Sequence, residues 1–253
     1  VAVLGIDIFK YSKYYYEEQK LIPIIFRYLV KETIENCFNL ETSFSAFYDR
    51  DRILNDIIDT GDGGYFVFMN PIDAIVFSIY FNANLHSYNS FHAYPKLRKF
   101  IGPLTLRYAI TYDKLYTIDN RYFGPAIINN SRIMGCDKLN RLLIDSKTYE
   151  WFLLKTNGIE NITVLNSDNI FSIKSKAGLI QEKFKTLVFQ LQDCEPVLQN
   201  VFCQKLDKVS IKEDKFDIYN LIIQTRLFFF DDDDISKNAI LTTTIGNMNC
   251  NGI

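Results

Sequence analysis

The chain has 253 residues, 48% hydrophobic and 23% charged, enough to bury one full core and a second small layer. A formal net charge of -2 argues against a general polyanion-binding surface, so no nucleic-acid partner is expected, while a local basic pocket for one nucleotide stays compatible with it. Five scattered cysteines without a Cys-x-x-Cys pair and two histidines, His86 and His92, exclude zinc-type ligand spacing and fit a reducing compartment.

Residues 1–8 read as a buried apolar strand. Residues 22–38 then carry apolar side chains at helical spacing (Ile22, Ile25, Phe26, Leu29, Thr33, Cys37), and Pro23 suits the first turn of such a helix. Two strands are expected over 53–58 and 65–69, joined by the turn Gly61-Asp62-Gly63-Gly64. Asn70-Pro71 opens a second helix with Ile72, Ile75, Val76, Ile79 and Ala83 on one face. Residues 84–99 are read as a polar helix end and loop, a setting in which His86 and His92 have no catalytic role. A strand over 104–112 follows, and 115–118 pairs either with it or with what comes next. Gly124-Pro125 leads a helix within 123–138, 142–144 form a short strand, and Ser146 caps a helix through Leu154.

Strand, helix, hairpin, helix and strand in this order give an α+β fold, a ferredoxin-like sandwich whose mainly antiparallel sheet is flanked by helices. Beyond it, strands are expected at 161–165, 170–173 and 184–191, with a strongly apolar stretch at 216–230 ending in Asp231-Asp232-Asp233-Asp234. That acidic run reads as a solvated loop, and residues from 246 onward as a tail. Residues 1–155 are therefore expected to form the principal domain, and 156–253 an extension packed on it or on a partner. No apolar run reaches the roughly 18 residues of a membrane span, and the first segment lacks signal-peptide patterning, so a cytoplasmic protein without a membrane partner is expected. Since the chain opens directly inside a strand, a short preceding segment is also compatible with it.

Asp7 and Asp62 stand out. Each follows or interrupts an apolar run at a strand end, where carboxylates are placed to hold hard divalent cations such as Mg²⁺ or Mn²⁺. Taken singly, each has an ordinary alternative, because an Asp at a strand end is commonly a turn former or cap and Gly-Asp-Gly a hairpin turn.

The segment Asp7-Ile8-Phe9-Lys10-Tyr11-Ser12 resembles the first metal motif of the class III nucleotidyl cyclases, and Thr60-Gly61-Asp62-Gly63 resembles their second. Tyr122-Phe123-Gly124-Pro125-Ala126-Ile127, leading to Ser131-Arg132, is similar to the segment that supplies their transition-state arginine. The resemblance covers most of residues 1–155. It implies a cyclase that brings the ribose 3′-hydroxyl of a nucleoside triphosphate onto the α-phosphorus and expels pyrophosphate. Two Mn²⁺ or Mg²⁺ ions would lie between Asp7 and Asp62, with the Ile8 carbonyl as a further ligand and Arg132 on the transition state. It also implies a head-to-tail homodimer with two composite sites.

Two departures refine this. At the positions where purine cyclases read the base, this chain has Ile58 and Pro125, which cannot make those hydrogen bonds. That absence points to the pyrimidine cyclases of bacterial antiphage systems, the Pycsar type, with UTP or CTP as substrate and cyclic UMP favoured over cyclic CMP. Phe9 and Tyr11 are candidates to pack near ribose or base, and Arg107 either donates to a pyrimidine carbonyl or has a structural role. Where the family places its ribose-orienting Asn, this chain has Ile128, so either Asn129 takes over or the ribose is held differently. Alternatives are a purine cyclase and a degenerate, non-catalytic nucleotide-binding domain.

Overall fold

The computed structural model describes residues 1–119, 121–155, 164–166, 198–211, 214–229 and 239–253. In chain order its first half comprises β1 (Ala2–Ile8), α1 (Tyr16–Leu40), α2 (Thr42–Phe47), α3 (Arg50–Asn55), β2 (Ile58–Asp59), β3 (Gly63–Phe68), α4 (Pro71–Asn89) and α5 (Pro95–Ile101). The remainder is β4 (Leu106–Tyr112), β5 (Tyr116–Ile118), β6 (Arg121–Phe123), α6 (Pro125–Cys136), β7 (Leu142–Asp145), α7 (Ser146–Lys155), β8 (Val164–Asn166), β9 (Leu198–Ile211), β10 (Asp214–Phe229) and β11 (Ala239–Ile245). The main sheet runs β2-β3-β1-β4-β7-β10-β9-β8, with β11 along the edge of β10. Only the β4–β7 pairing is parallel among the described strands. The order β2-β3-β1-β4, with α1 and α4 as the returning helices, is the expected α+β, ferredoxin-like arrangement.

Alternation along the strands decides which helix covers which face. β1 sends Leu4, Ile6 and Ile8 into the larger core, where they meet Leu106, Tyr108 and Ile110 of β4 and the apolar sides of α1 and α4. On the other face Ala109 and Leu143 receive Ile133 and Met134 of α6. Gly5 permits that approach, because a Cβ there would overlap Asn130 Oδ1 and Met134 Sδ. A run of ring contacts, Phe26–Phe81, Phe81–Phe77 and Phe77–Phe66, ties α1 and α4 to β3 at centroid spacings of 5.5, 6.3 and 4.8 Å. Each such buried ring contributes about 1.5–3 kcal/mol. Together they hold rigid the strand that starts just after Asp62.

Several expectations are corrected. The first helix begins at Tyr16, ahead of Pro23, because Glu18 accepts from the Tyr15 N–H at 2.8 Å and starts it there. Pro23 lies inside the helix and cannot serve the Gln19 carbonyl; the Tyr11 hydroxyl donates to that oxygen at 2.8 Å instead. The first half of the strand expected over 53–58 is helical, since Asp49 caps α3 through the Arg52 N–H at 2.7 Å, which leaves only Ile58–Asp59 to pair with β3. Residues 84–99 are a helix end and loop only as far as residue 94: α4 carries His86 and continues to Asn89, 90–94 with His92 is irregular, and α5 begins at Pro95. Asp145, not Ser146, caps α7, accepting from the Thr148 N–H at 2.9 Å and its hydroxyl at 2.6 Å.

β5 pairs with β6, so of the two partners open to 115–118 it is the following segment that pairs. The strand read at 161–165 is represented by β8, and the apolar stretch at 216–230 by β10. Residues 170–173, 184–191 and the four aspartates 231–234 lie outside the described residues. From residue 246 onward the backbone is irregular, yet Ile253 packs against the α6 face and Arg141 donates to the Asn251 carbonyl at 2.6 Å. That segment is docked. Among the described residues no helix is long and apolar enough to cross a membrane.

Candidate active site

Asp7 is the penultimate residue of β1 and points to the α6 face, where it is 7% exposed. Its strand is clamped on both sides at this end: the Ile8 N–H donates to the Asp62 carbonyl at 2.9 Å, and the Phe9 N–H to the Thr105 carbonyl at 2.8 Å. Immediately afterwards Lys10 adopts a left-handed conformation, φ 61°, and the chain turns out of the sheet. The backbone on either side therefore fixes where the carboxylate can lie.

Asp62 is brought alongside by the β2–β3 turn. Asp59 accepts from the Gly61 N–H at 2.7 Å, Thr60 N–H donates to the Gly63 carbonyl at 3.1 Å, and Gly61 takes φ 90°, which favours glycine. Gly63 stands opposite Asp7, and a Cβ there would overlap the Ile6 carbonyl and lie 2.8 Å from the Asp7 Cα. A side chain at 63 would thus separate the two strands at the site. The Asp7 carboxyl is raised to about 6 as the balance of burial, which raises it most, Arg107, which lowers it, and the neighbouring Asp62 carboxylate, which raises it.

Arg107 faces Asp7 across the antiparallel β1–β4 pairing and donates to Asp7 Oδ2 from Nε at 2.9 Å and from a terminal nitrogen. Its other terminal nitrogen donates to the Met134 and Asp137 carbonyls, each at 3.0 Å, at the C-terminal end of α6. A cation there also complements the helix terminus. Asp7 Oδ1 is buried without a hydrogen-bond partner among the described residues. An orphaned carboxylate oxygen beside a second carboxylate suits a hard divalent cation. No group of three or more His, Cys, Asp or Glu side chains placed to hold a metal ion occurs among the described residues. The remaining ligands would then be backbone, water or substrate oxygens, as is usual for Mg²⁺.

The other candidates are distributed around this pair. Ile8 ends β1, and Phe9 lies beside two cations, with Lys10 Nζ 4.5 Å and Arg107 Cζ 5.8 Å from its ring centre. Phe9, Lys10, Lys13, Tyr14, Thr105 and Asn140 line a cleft at this end of the sheet. Tyr11 directs its hydroxyl at α1, away from any ligand role for that group. Ile58 is half-buried opposite Tyr65 on β2, and Pro125 is the first residue of α6.

Along α6, Ala126, Asn130, Ile133 and Met134 are buried. Asn130, unremarkable in the sequence, anchors the helix by donating to the Val3 and Ala109 carbonyls at 2.8 and 2.9 Å. Arg132 and Ile128, one turn apart, lie on the other side; Ile128 is exposed and Arg132 half-exposed. The side chains of Arg132 and Asn129 make no hydrogen bond or ion pair among the described residues. The sequence signal that reading by motif overlooked is the cross-strand pair itself: alternation on β1 and β4 places Asp7 and Arg107 on one face.

No family model matches the chain, and no curated protein matches its sequence. Solved structures similar to it include the catalytic core of a rhodopsin-guanylyl cyclase with converted specificity in complex with ATPαS, at 11% identity, covering 89% of this chain and 96% of that one, TM-score 0.47. The guanylyl cyclase Cya2 is similar at 13% identity over 87% of this chain and 90% of that one, TM-score 0.43. The adenylyl cyclase CyaB from P. aeruginosa is similar at 13% identity over 87% and 92%, TM-score 0.40.

Proposed function

We propose that this chain is a nucleotidyl cyclase that converts a nucleoside triphosphate to a 3′,5′-cyclic nucleotide and pyrophosphate, acting on pyrimidine triphosphates with UTP favoured over CTP. One observation carries the reading: Asp7, whose buried Oδ1 has no hydrogen-bond partner among the described residues, lies beside Asp62 on the adjoining strand turn. In this reading Asp7, Asp62 and the Ile8 carbonyl hold two Mn²⁺ or Mg²⁺ ions. Such ions supply charge neutralisation on the triphosphate and a lowered pKa for the 3′-hydroxyl.

The chain's own groups do the rest. Lys10 and Lys13, on the cleft beside Phe9, offer positive charge to the phosphates, and the backbone N–H groups after β1 offer further donors. Arg107, whose donors already point at Asp7 and the end of α6, acts on the carboxylate in this reading and not on the base. Arg132, whose side chain has no hydrogen-bond or ion-pair partner among the described residues, is delivered in this reading by a second copy to the pentavalent phosphorus, giving a homodimer with two shared sites. The exposed Tyr116, Ile118 and Phe123 on β5 and β6, together with Ile128, provide apolar surface for that contact. Ile58 and Pro125 exclude purine-edge hydrogen bonds, which favours a pyrimidine; Asn129 is the candidate to hold the ribose. Residues 1–155 form the catalytic unit in this reading, and 156–253 extend its sheet through β9 and β10.

Ile58, Pro125 and Ile128 also motivate a second reading, a nucleotide-binding domain without turnover. The two separate when purified protein is incubated with each of the four ribonucleoside triphosphates and Mn²⁺. Formation of cyclic UMP or cyclic CMP, lost in Asp62→Asn, is expected. Cyclic AMP or cyclic GMP alone overturns the pyrimidine assignment, and binding without product favours the second reading.

A further inference from the structure

Two arginines meet at one aspartate behind the site. Arg107 donates to the backbone carbonyl of Asp137 at 3.0 Å, while Arg141 donates from Nε to the Asp137 carboxylate at 2.7 Å and from its backbone N–H at 3.2 Å. Arg141 is 0% exposed and Asp137 3%. The strands bind the same region together, since the Tyr108 N–H, next to Arg107, donates to the Arg141 carbonyl at 2.9 Å. A buried guanidinium needs more acceptors than one carboxylate provides. Arg141 Nη1 finds two in the Asn251 carbonyl at 2.6 Å and the Asn249 carbonyl at 3.5 Å, while Nη2 lies 2.7 Å from the Asp137 carboxylate without a hydrogen bond among the described residues. The segment that supplies these carbonyls is seated by Asn220, whose amide donates to the Asn247 carbonyl at 3.2 Å, by an amide contact from Asn247 to Asn140 at 3.1 Å, and by Ile253 against the α6 face.

From this continuous set of contacts we infer that Asp137 and Arg141 are positioning residues for Asp7, and that residues 247–253 form a latch that sets the metal-binding carboxylate through Arg141, Asp137 and Arg107. The physical reason is that Arg107 has few ways to sit. Its Nε side is bound to Asp7 and its other side to the turn after α6, so the position of that turn sets the position of Asp7 Oδ2. The turn in turn is held by the carboxylate of Asp137 on Arg141, and Arg141 is held by the latch. This inference rests on the metal-binding reading of Asp7, but the chain of contacts from Arg141 to Arg107 does not.

The test uses full-length Arg141→Lys and Ile253→Asp variants. The second unseats the latch without touching the relay, and so remains informative where the first fails to fold. The ¹⁵N–¹H signal of Arg107 Nε in metal-free protein, identified by its loss in Arg107→Lys, is expected to shift or broaden in both variants. Mn²⁺ affinity, measured from free Mn²⁺ by electron paramagnetic resonance, is expected to fall about 10- to 100-fold, the usual consequence of losing a group that orients a metal ligand. Turnover at saturating Mn²⁺ is expected to change far less. A folded Ile253→Asp protein with an unchanged Arg107 signal and unchanged Mn²⁺ affinity overturns the inference. Failure of the wild type itself to bind Mn²⁺ counts against the metal reading, while the Arg107 signal alone then decides the relay.

Discussion

Asp7 and Arg107 occupy directly opposed positions in neighbouring antiparallel strands, and the guanidinium reaches Asp7 Oδ2 while Oδ1 has no hydrogen-bond partner among the described residues. The pair divides the carboxylate: one oxygen is held by the protein and the other is available. Removing Arg107 therefore affects both the fold and the site.

In Arg107→Met the Asp7 carboxylate loses its counter-charge in a mostly buried setting. Metal-free protein is expected to lose about 3 kcal/mol of stability in urea unfolding, as for a broken buried ion pair. Saturating Mn²⁺ should recover more stability in this variant than in wild type, because the cation replaces the missing charge. Equal stabilisation of both proteins by Mn²⁺ would count against a cation at Asp7.

Composite sites make a specific prediction about mixtures. Asp62→Asn and Arg132→Ala homodimers are each expected to lose activity by at least about 100-fold. Mixed dimers then contain one intact site, so remixing after reversible dissociation should return up to half of the wild-type rate per mixed dimer. No recovery in mixtures shown to exchange subunits would exclude shared sites.

Gly5→Ala tests the seating of α6. The added methyl overlaps Asn130 Oδ1 and Met134 Sδ, so the helix must lift or Asn130 must leave its two carbonyl acceptors. A loss of about 1–3 kcal/mol is expected, read from thermal unfolding. Met134→Ala in the same chain should relieve only part of it, since Asn130 still collides.

The pH dependence of stability has an identifiable contributor in Asp145. Burial raises its carboxyl from an ordinary 3.8 to about 6, against the hydrogen bonds from Thr148 that favour ionisation. A raised folded-state pKa means that the folded protein binds the proton more tightly. The contribution is fully present below about 3.8 and is lost as pH rises through about 6. The difference in unfolding free energy between wild type and Asp145→Asn should therefore decline by a few kcal/mol, about 3 at most, from pH 3.5 to pH 7. A difference that is flat over this window would show that the Asp145 pKa is not raised.

The fold class was legible in the sequence where local rules and tertiary context agree. The alternation of β1 and β4, the Asn70-Pro71 cap and the glycines around Asp62 act through backbone geometry within a few residues, and each element appeared where those rules place it. Boundaries failed where a distant group satisfied a backbone atom. Pro23 sits inside α1 because Tyr11 supplies the missing donor, and 53–55 is helical because Asp49 caps it. The latch at 247–253 was unreadable for the same reason: its carbonyls bind a guanidinium from residue 141.

The sequence by itself determined that two carboxylates, an arginine and their glycine-rich settings occur in a particular order on an α+β frame. Only the tertiary structure decided that Asp7 and Asp62 are neighbours, that Arg107 serves Asp7, and that the Arg132 side chain has no partner among the described residues. Side-chain order follows from short-range periodicity, which the sequence carries. Which charges meet depends on strand register and helix docking, set by burial across the whole sheet and by close approaches such as Gly5 beneath Asn130.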